Sequence, residues 1–447
     1  MDNKKESTKR FRPLTKVLAV VLVICIFFSA YLSVMTQVRY EQKQYVNTIL
    51  ELASNVTAEN TAYLTASRVD RAIYFLKMLV RKPHTYEQFE QYASLYIARE
   101  DYGTAIEYMK QGLDVYDPDD IPGVAQLNLR IGCLFVLTGQ YEEAVSFFNT
   151  AIGKKPDLAD AYVLRAQMMY ELGYTASAVC DMNKYAELSG NSPAIQSSLG
   201  LLYESIGDIE HAYECYTVAI DSADEPDAEI YYSRARCCMQ LEDAEGACAD
   251  LEQFFAAGGT DTDGSAAAML CYSRGKGGDY AGALEMGKIA VEKGYIDSAA
   301  VYSQCVLYAF CVEKYSEAAE YAHKAIALGV SDAEMYQWAA VSEMTLGDYE
   351  KAVKDFQSAL LADPQLTDAR YNLAVCLMAL EQYSEAKCWY TASIDAGENI
   401  TASLYARGVC CFMTDDIEGG TADLLAVIER NDDKKIVEDA KALLYGE

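Results

Sequence analysis

One phrase returns along this chain at nearly constant spacing: an aromatic residue, two further residues and an alanine. Gly347-Asp348-Tyr349-Glu350-Lys351-Ala352 is the clearest copy, and Tyr102/Ala105, Tyr141/Ala144, Tyr280/Ala283, Tyr315/Ala318 and Tyr383/Ala386 repeat it. Ile209/Ala212 keeps the spacing with an aliphatic residue, Ala178 and Ala247 keep the frame more loosely, Val69/Ala72 opens the series and Ile417/Gly420 closes it. The anchors at 72, 105, 144, 178, 212, 247, 283, 318, 352, 386 and 420 lie 33 to 39 residues apart. A period of this length means a repeat architecture, in which a unit cannot bury its own apolar face and must stack on its neighbours.

The frame extends beyond the anchors. Twelve residues before them stand Ala93, Gly132, Ala166, Gly200, Ala235, Cys271, Val306, Ala340, Ala374 and Gly408, most of them small enough to let two helices touch. Four residues after stand Phe148, Tyr216, Leu251, Phe356 and Tyr390, able to fill the space between units. Pro156 and Pro364 end the second helix, and Gly139, Gly173, Gly207, Gly278 and Gly347 offer the left-handed residue that closes the first. The first copy and the copy anchored at Ala283, with Gly287 in the large-residue place, depart most.

This pattern resembles the tetratricopeptide-repeat (TPR) superfamily, whose unit is a helix-turn-helix of about 34 residues. The resemblance covers nearly everything after the first 52 residues. It implies an all-α fold: a right-handed α-solenoid of about ten to eleven repeats over residues 53–430. The stripe of Ile436, Val437, Ala440, Leu443 and Leu444 reads as a capping helix within 431–447.

The N-terminus has a different character. Residues 1–16 carry Lys4, Lys5, Lys9, Arg10, Arg12 and Lys16 against Asp2 and Glu6, and Val17 to Met35 is apolar apart from Ser29 and Ser33. A helix over 17–35 would reach about 28 Å, close to a bilayer's hydrocarbon thickness. The reading is a basic cytoplasmic segment (1–16), a transmembrane signal-anchor helix in the lipid bilayer (17–35) and a helical linker (36–52). A cleaved signal peptide would have a shorter apolar core. A lipoprotein anchor at Cys25 lacks the small preceding residue, and a helix buried in the fold would not carry the basic flank. The expected topology is single-pass in the cell membrane, with the N-terminus cytoplasmic and the solenoid extracytoplasmic. Fourteen cysteines without metal-ligand spacing keep the alternative, a solenoid facing the cytosol, in play.

Composition excludes several functions. A net charge of −30 repels nucleic-acid phosphate. Only His84, His211 and His323 are present, and no nucleophile elbow, zinc-protease motif or phosphate loop occurs. Asp261-Thr262-Asp263-Gly264 does not fit a calcium loop, because Gly follows the second Asp and Tyr272 stands where a bidentate Glu is required. It reads instead as an inter-repeat loop whose Asp263, Gly264 or Ser265 caps the next helix. No catalytic residue, metal, cofactor or small-molecule substrate is expected.

One charge pattern is internal to the repeats. Arg165, Arg234 and Arg407 stand thirteen residues before their anchors, and each of those repeats has an aspartate three after: Asp181, Asp250 and Asp423. One further repeat has that aspartate, Asp355, without the arginine. The spacing predicts a salt bridge between the two helices of a repeat.

In TPR proteins the first helices line a concave groove that accepts a peptide. Carried onto this frame, the resemblance implies groove positions at Tyr232, Arg236, Met239, Tyr272, Leu307, Phe310, Gln337, Val341, Met344, Tyr371, Asn372, Val375, Met378, Tyr405 and Phe412, with Tyr170 earlier in the chain. The paired Lys and Asn of the carboxylate clamp found in chaperone-binding members are absent. The function implied is a membrane-anchored scaffold for polypeptide partners. The alternatives are a non-catalytic platform subunit of an envelope enzyme, sensor or secretion complex, and a cytosol-facing receptor on a membrane.

Overall fold

The computed structural model describes Ser29 and residues 31–53, 64–330 and 332–446. All regular structure among them is helical. The chain divides into two compact units, one ending at Gly207 and the other running from Asp208 to Glu447.

In the first unit, α1 (31–53) and α2 (Ala66–Leu79) precede three helical hairpins. These are α3 (Tyr86–Ala98) with α4 (Tyr102–Val115), α5 (Ile121–Leu137) with α6 (Tyr141–Lys154), and α7 (Ala159–Glu171) with α8 (Thr175–Ser189). Helix α9 (Pro193–Ser205) ends the unit. The second unit opens with α10 (Ile209–Asp221). Six hairpins follow: α11 (Ala228–Gln240) with α12 (Ala244–Ala256), α13 (Ser265–Lys276) with α14 (Tyr280–Glu292), α15 (Ser298–Cys311) with α16 (Tyr315–Ala327), α17 (Ala333–Leu346) with α18 (Tyr349–Ala362), α19 (Ala369–Ala379) with α20 (Tyr383–Asp395), and α21 (Ile400–Met413) with α22 (Ile417–Arg430). Helix α23 (Lys434–Tyr445) packs on α21 and α22, with Val437 and Ala440 buried beside Leu404, Leu424 and Val427.

The recurring phrase marks the start of the second helix of each pair. Its chemistry is clearest at the junction. The last residue of the turn donates its N–H back to a carbonyl five residues earlier, as Asp243 does to Cys238 (2.9 Å) and Asp416 to Cys411 (2.8 Å), which closes the first helix. The side chain of the same residue then opens the second helix. Asp101, Asp208, Asp243, Asp279 and Asp416 accept the N–H of Thr104, His211, Gly246, Gly282 and Gly419.

The residue before that cap position has positive φ in the ten turns that precede the anchors from Ala105 to Gly420. Gly139, Gly173, Gly207, Gly278 and Gly347 hold it at 72–85°. In the other five turns Glu100, Glu242, Glu313, Glu381 and Asp415 hold it at 59–64°. An L-residue there carries a steric cost of roughly 1–2 kcal/mol that glycine avoids.

The ten anchor alanines are fully buried, and so are Phe148, Tyr216, Leu251, Phe356 and Tyr390 four residues on. At Gly287 an added Cβ would lie 2.3 Å from Cys305 Sγ and 3.2 Å from Cys271 Sγ, so two cysteine sulfurs occupy the space a large residue fills elsewhere. In the loop before α13, Gly264 is the N-cap with φ +79° and no side chain to offer. The buried carboxylate of Asp261 instead accepts the N–H of Ala266 and Ala267 (3.3 and 3.2 Å), while Asp263 accepts that of Ser265.

The expected single-pass membrane placement is corrected. No helix among the described residues is long and apolar enough to cross a membrane. The described α1 turns polar in its third and fourth turns, at Arg39, Glu41 and Lys43. Farther along, Val46 and Ile49 are buried in the protein core with Val69, Ala72 and Leu76. Residues 17–28 and 30 of the expected span, Cys25 among them, and the basic segment 1–16 lie outside the described residues.

Candidate functional site

All fifteen expected groove residues stand on the first helix of a hairpin in the second unit, and each is half-buried or exposed. Within this unit the successive first helices α13, α15, α17 and α19 touch one another. Half-exposed residues of the row alternate with fully buried neighbours such as Val306, Ala340, Ala374 and Cys376. That alternation follows from helical geometry: residues one or two apart face different sides, and the buried ones meet the second helices.

The row is divided among four local cores. Val341, Met344, Tyr371, Val375 and Met378 pack at the edge of one cluster around Phe356, Leu373 and Tyr390. Phe310 stands edge-on to Trp338 at 4.9 Å, in the cluster before it. Tyr232 packs against Phe254 (5.4 Å) and shares a 2.8 Å hydrogen bond with Ser265 Oγ. Tyr405 and Phe412 belong to the C-terminal cluster. Several polar or soft groups are already engaged: Gln337 Nε2 donates to the Thr367 carbonyl (3.0 Å), Ser273 Oγ donates to Met239 Sδ (3.5 Å), and Lys276 lies over the Tyr272 ring. Leu307 and Arg236 are exposed, Leu307 by 44%. Burial pushes the Tyr371 and Tyr405 hydroxyls above the ordinary phenol range.

An apolar cavity of about 400 Å³ lies in the first unit, between α7, α8 and α9. Tyr170, Val163, Met182, Leu201 and Leu202 line it. Of the residues expected along the groove, this cavity takes only Tyr170; the fifteen others stand in the second unit.

The arginine–aspartate spacing resolves into three two-pronged bridges. Arg234 donates Nε and Nη2 to the two oxygens of Asp250 at 2.8 and 2.7 Å. Arg165 with Asp181 and Arg407 with Asp423 repeat the geometry at 2.6–2.8 Å. The remaining Nη1 reaches the second helix of the preceding repeat, at Asn149, Thr217 or Thr391, each five residues past its anchor. These pairs are largely buried, Arg234 at 17% and Asp250 at 5% side-chain exposure. Such a fork satisfies both carboxylate oxygens and serves as a clasp between repeats.

The fourth aspartate has different company. Ala339 stands in the arginine's place, and Asp355 Oδ2 lies 2.7 Å from Nε2 of His323, the residue five past the preceding anchor. A second carboxylate joins them: Glu343 Oε1 is 3.8 Å from the same nitrogen. Burial first, and the Asp355 carboxylate second, push the Glu343 carboxyl up to about 7, against the pull of His323. One signal for this cluster stood in the sequence, an aspartate in the bridge position without its arginine. The proximity of His323 and Glu343 did not, because they come from two other helices.

Comparisons with known proteins agree with the fold. A tetratricopeptide-repeat model matches residues 93–159 and 306–366, and a second, also described as tetratricopeptide repeat, matches 343–392. The mouse Superkiller complex protein 3 is 23% identical over 349 residues, covering 69% of this chain and 20% of that protein. The human Tetratricopeptide repeat protein 6 is 30% identical over 115 residues, 25% of this chain and 22% of that protein. The chain thus spans about a fifth of the length of these curated relatives. Among solved structures, the C-terminal part of a TPR repeat-containing protein from Cytophaga hutchinsonii covers 74% of this chain and 98% of its own, at 14% identity and a TM-score of 0.38. A crystal structure of MamA covers 37% and 93%, at 18% identity and 0.33. Residues 93–159 and 306–392 thus match tetratricopeptide repeats, and the described residues around them form helical hairpins of the same all-α kind.

Proposed function

We propose that this chain is a non-catalytic scaffold that takes polypeptide partners along the first-helix face of its second unit. The observation that carries the reading is the row from Leu307 to Met378. On three consecutive first helices, α15, α17 and α19, apolar and aromatic side chains are held half-exposed over fully buried neighbours. A face of this kind is preorganised, because its side chains are braced from below and lose little freedom when a peptide covers them. Met344 and Met378 add a pliable apolar surface suited to varied side chains. The ligand class that fits is an extended or helical segment with apolar anchors. Basic residues flanking those anchors would complement the net charge of −30.

The test is selection of peptides from a displayed library against the purified full chain, followed by affinity measurement on Leu307→Glu/Val375→Glu. Selected peptides should bind the double variant at least tenfold more weakly while its helical signal and melting stay near wild type. Peptides that bind wild type and a well-folded double variant alike would move the binding face elsewhere, with the apolar cavity at Tyr170 as the next place to look.

A further inference from the structure

We propose that His323, Glu343 and Asp355 form a binding site for one divalent cation of the manganese–zinc class. One ligand atom from each, the ring nitrogen and two carboxylate oxygens, lies within 4.8 Å of the others. Metal–ligand bonds of about 2.1 Å in a tetrahedral site put ligand atoms about 3.4 Å apart. The observed separations of 2.7 Å to Asp355 and 3.8 Å to Glu343 bracket that value, so small side-chain adjustments would admit an ion.

The second observation is the state of Glu343. It is 3% exposed, and its Oε2 has no hydrogen-bond partner among the described residues. A buried carboxylate oxygen without a partner carries its full desolvation penalty, and a second carboxylate beside it adds repulsion. In the other three aspartate-bearing repeats the place nine residues before the anchor holds Met169, Cys238 or Cys411, none of them charged. Only the repeat that lacks the arginine places a second acid there. Beside the shared aspartate the cluster therefore exchanges one fixed guanidinium for a second acid and an imidazole, and the resulting donor set is one a divalent cation would satisfy. One imidazole nitrogen with two carboxylates suits Mn2+ and Zn2+ better than Ca2+, which takes six to eight oxygens, or Mg2+, which dehydrates reluctantly. His323 is half-exposed, its side chain 46% accessible, which leaves an entry path and room for water to complete the coordination. With His323 on α16, Glu343 on α17 and Asp355 on α18, a bound ion would tie two successive repeats together, the role played elsewhere by the arginine forks.

The experiment uses the full chain after treatment with chelator, and Mn2+ as probe, since hard Mn2+ avoids the 14 thiols. Free-ion electron paramagnetic resonance should show one equivalent bound. Glu343→Gln and His323→Ala should each weaken binding at least tenfold, with helical content retained. A readout in wild-type protein stands beside the variants. The chain has only three histidines, so substoichiometric Mn2+ should broaden the ring signals of His323 and spare those of His84 and His211. Zn2+ added in excess should displace the Mn2+ and restore the His323 signals. Absence of stoichiometric Mn2+ binding, selective broadening at another histidine, or unchanged affinity in the folded variants would overturn the proposal.

Discussion

The hairpin α11/α12 and the hairpin α17/α18 share a backbone frame and differ in the side chains placed around one aspartate. In the first, Asp250 is gripped by both prongs of Arg234, and the guanidinium's third contact reaches Thr217 in the preceding repeat. In the second, alanine replaces the arginine, His323 occupies the place of Thr217, and Glu343 stands where Cys238 is buried. One arrangement is a saturated clasp. The other leaves an acid oxygen without a partner and three potential ligands facing one another. The contrast teaches that a repeat frame fixes where side chains meet, while the residues placed there decide whether the meeting is inert or chemically open.

The comparison breaks most visibly at the clasp. Replacing Arg234 with Met should destabilise the second unit by about 3 kcal/mol, because Asp250 becomes a lone buried charge. Arg234→Met/Asp250→Leu should recover most of that loss, since apolar pairs of similar volume replace such bridges at little cost. Denaturant unfolding of wild type, both single variants and the double variant measures the coupling. Equal stabilities across the set would show that the fork contributes nothing.

The open cluster should respond with the opposite sign. Glu343 titrates at about 7 in the fold against its ordinary 4.5. Its burial cost is therefore absent below the unfolded value, grows between pH 4.5 and 7, and is complete above. The groups facing it are Asp355 and Lys351 from α18 and His323 from α16. In chelator at pH 8, Glu343→Gln should raise stability by about 1–2 kcal/mol, and at pH 4.5 by much less. Thermal melts at the two pH values sharpen the comparison; a variant less stable than wild type at pH 8 would mean that the charged acid is well satisfied.

The smallest effect belongs to the turns. Glu242→Gly should stabilise by about 0.5–1 kcal/mol through relief of the left-handed strain. Gly173→Ala, at φ +82°, should destabilise by a similar amount. A pair of melts that moved in the same direction would show that the turn conformation does not set the energy.

Much of the fold was legible because it is local and repeated. The aromatic that opens six of the second helices, the buried alanine three residues on and the mostly small residue twelve before it follow from close packing, a demand common to all copies. Five of the ten turns announced themselves as glycine. Glu100, Glu242, Glu313, Glu381 and Asp415 did not, because packing of the hairpin imposes on them a backbone state that their own preference opposes. The arginine–aspartate bridges were legible for the same reason as the helices: both partners keep a fixed spacing within one repeat. The membrane reading rested on a run of apolar residues. Hydropathy measures a segment's apolarity and not what it packs against, and Val46 and Ile49, just beyond that run, are buried in the protein's own core.

The sequence by itself determined the period, the helix pairing and the buried face, since these depend on side-chain size at regular intervals. Only the tertiary structure decided which residues three helices bring to one point. His323 and Asp355 lie 32 residues apart and Glu343 falls between them on a third helix. Proximity across stacked helices is set by the packing of repeats, and no pattern read along one chain contains it.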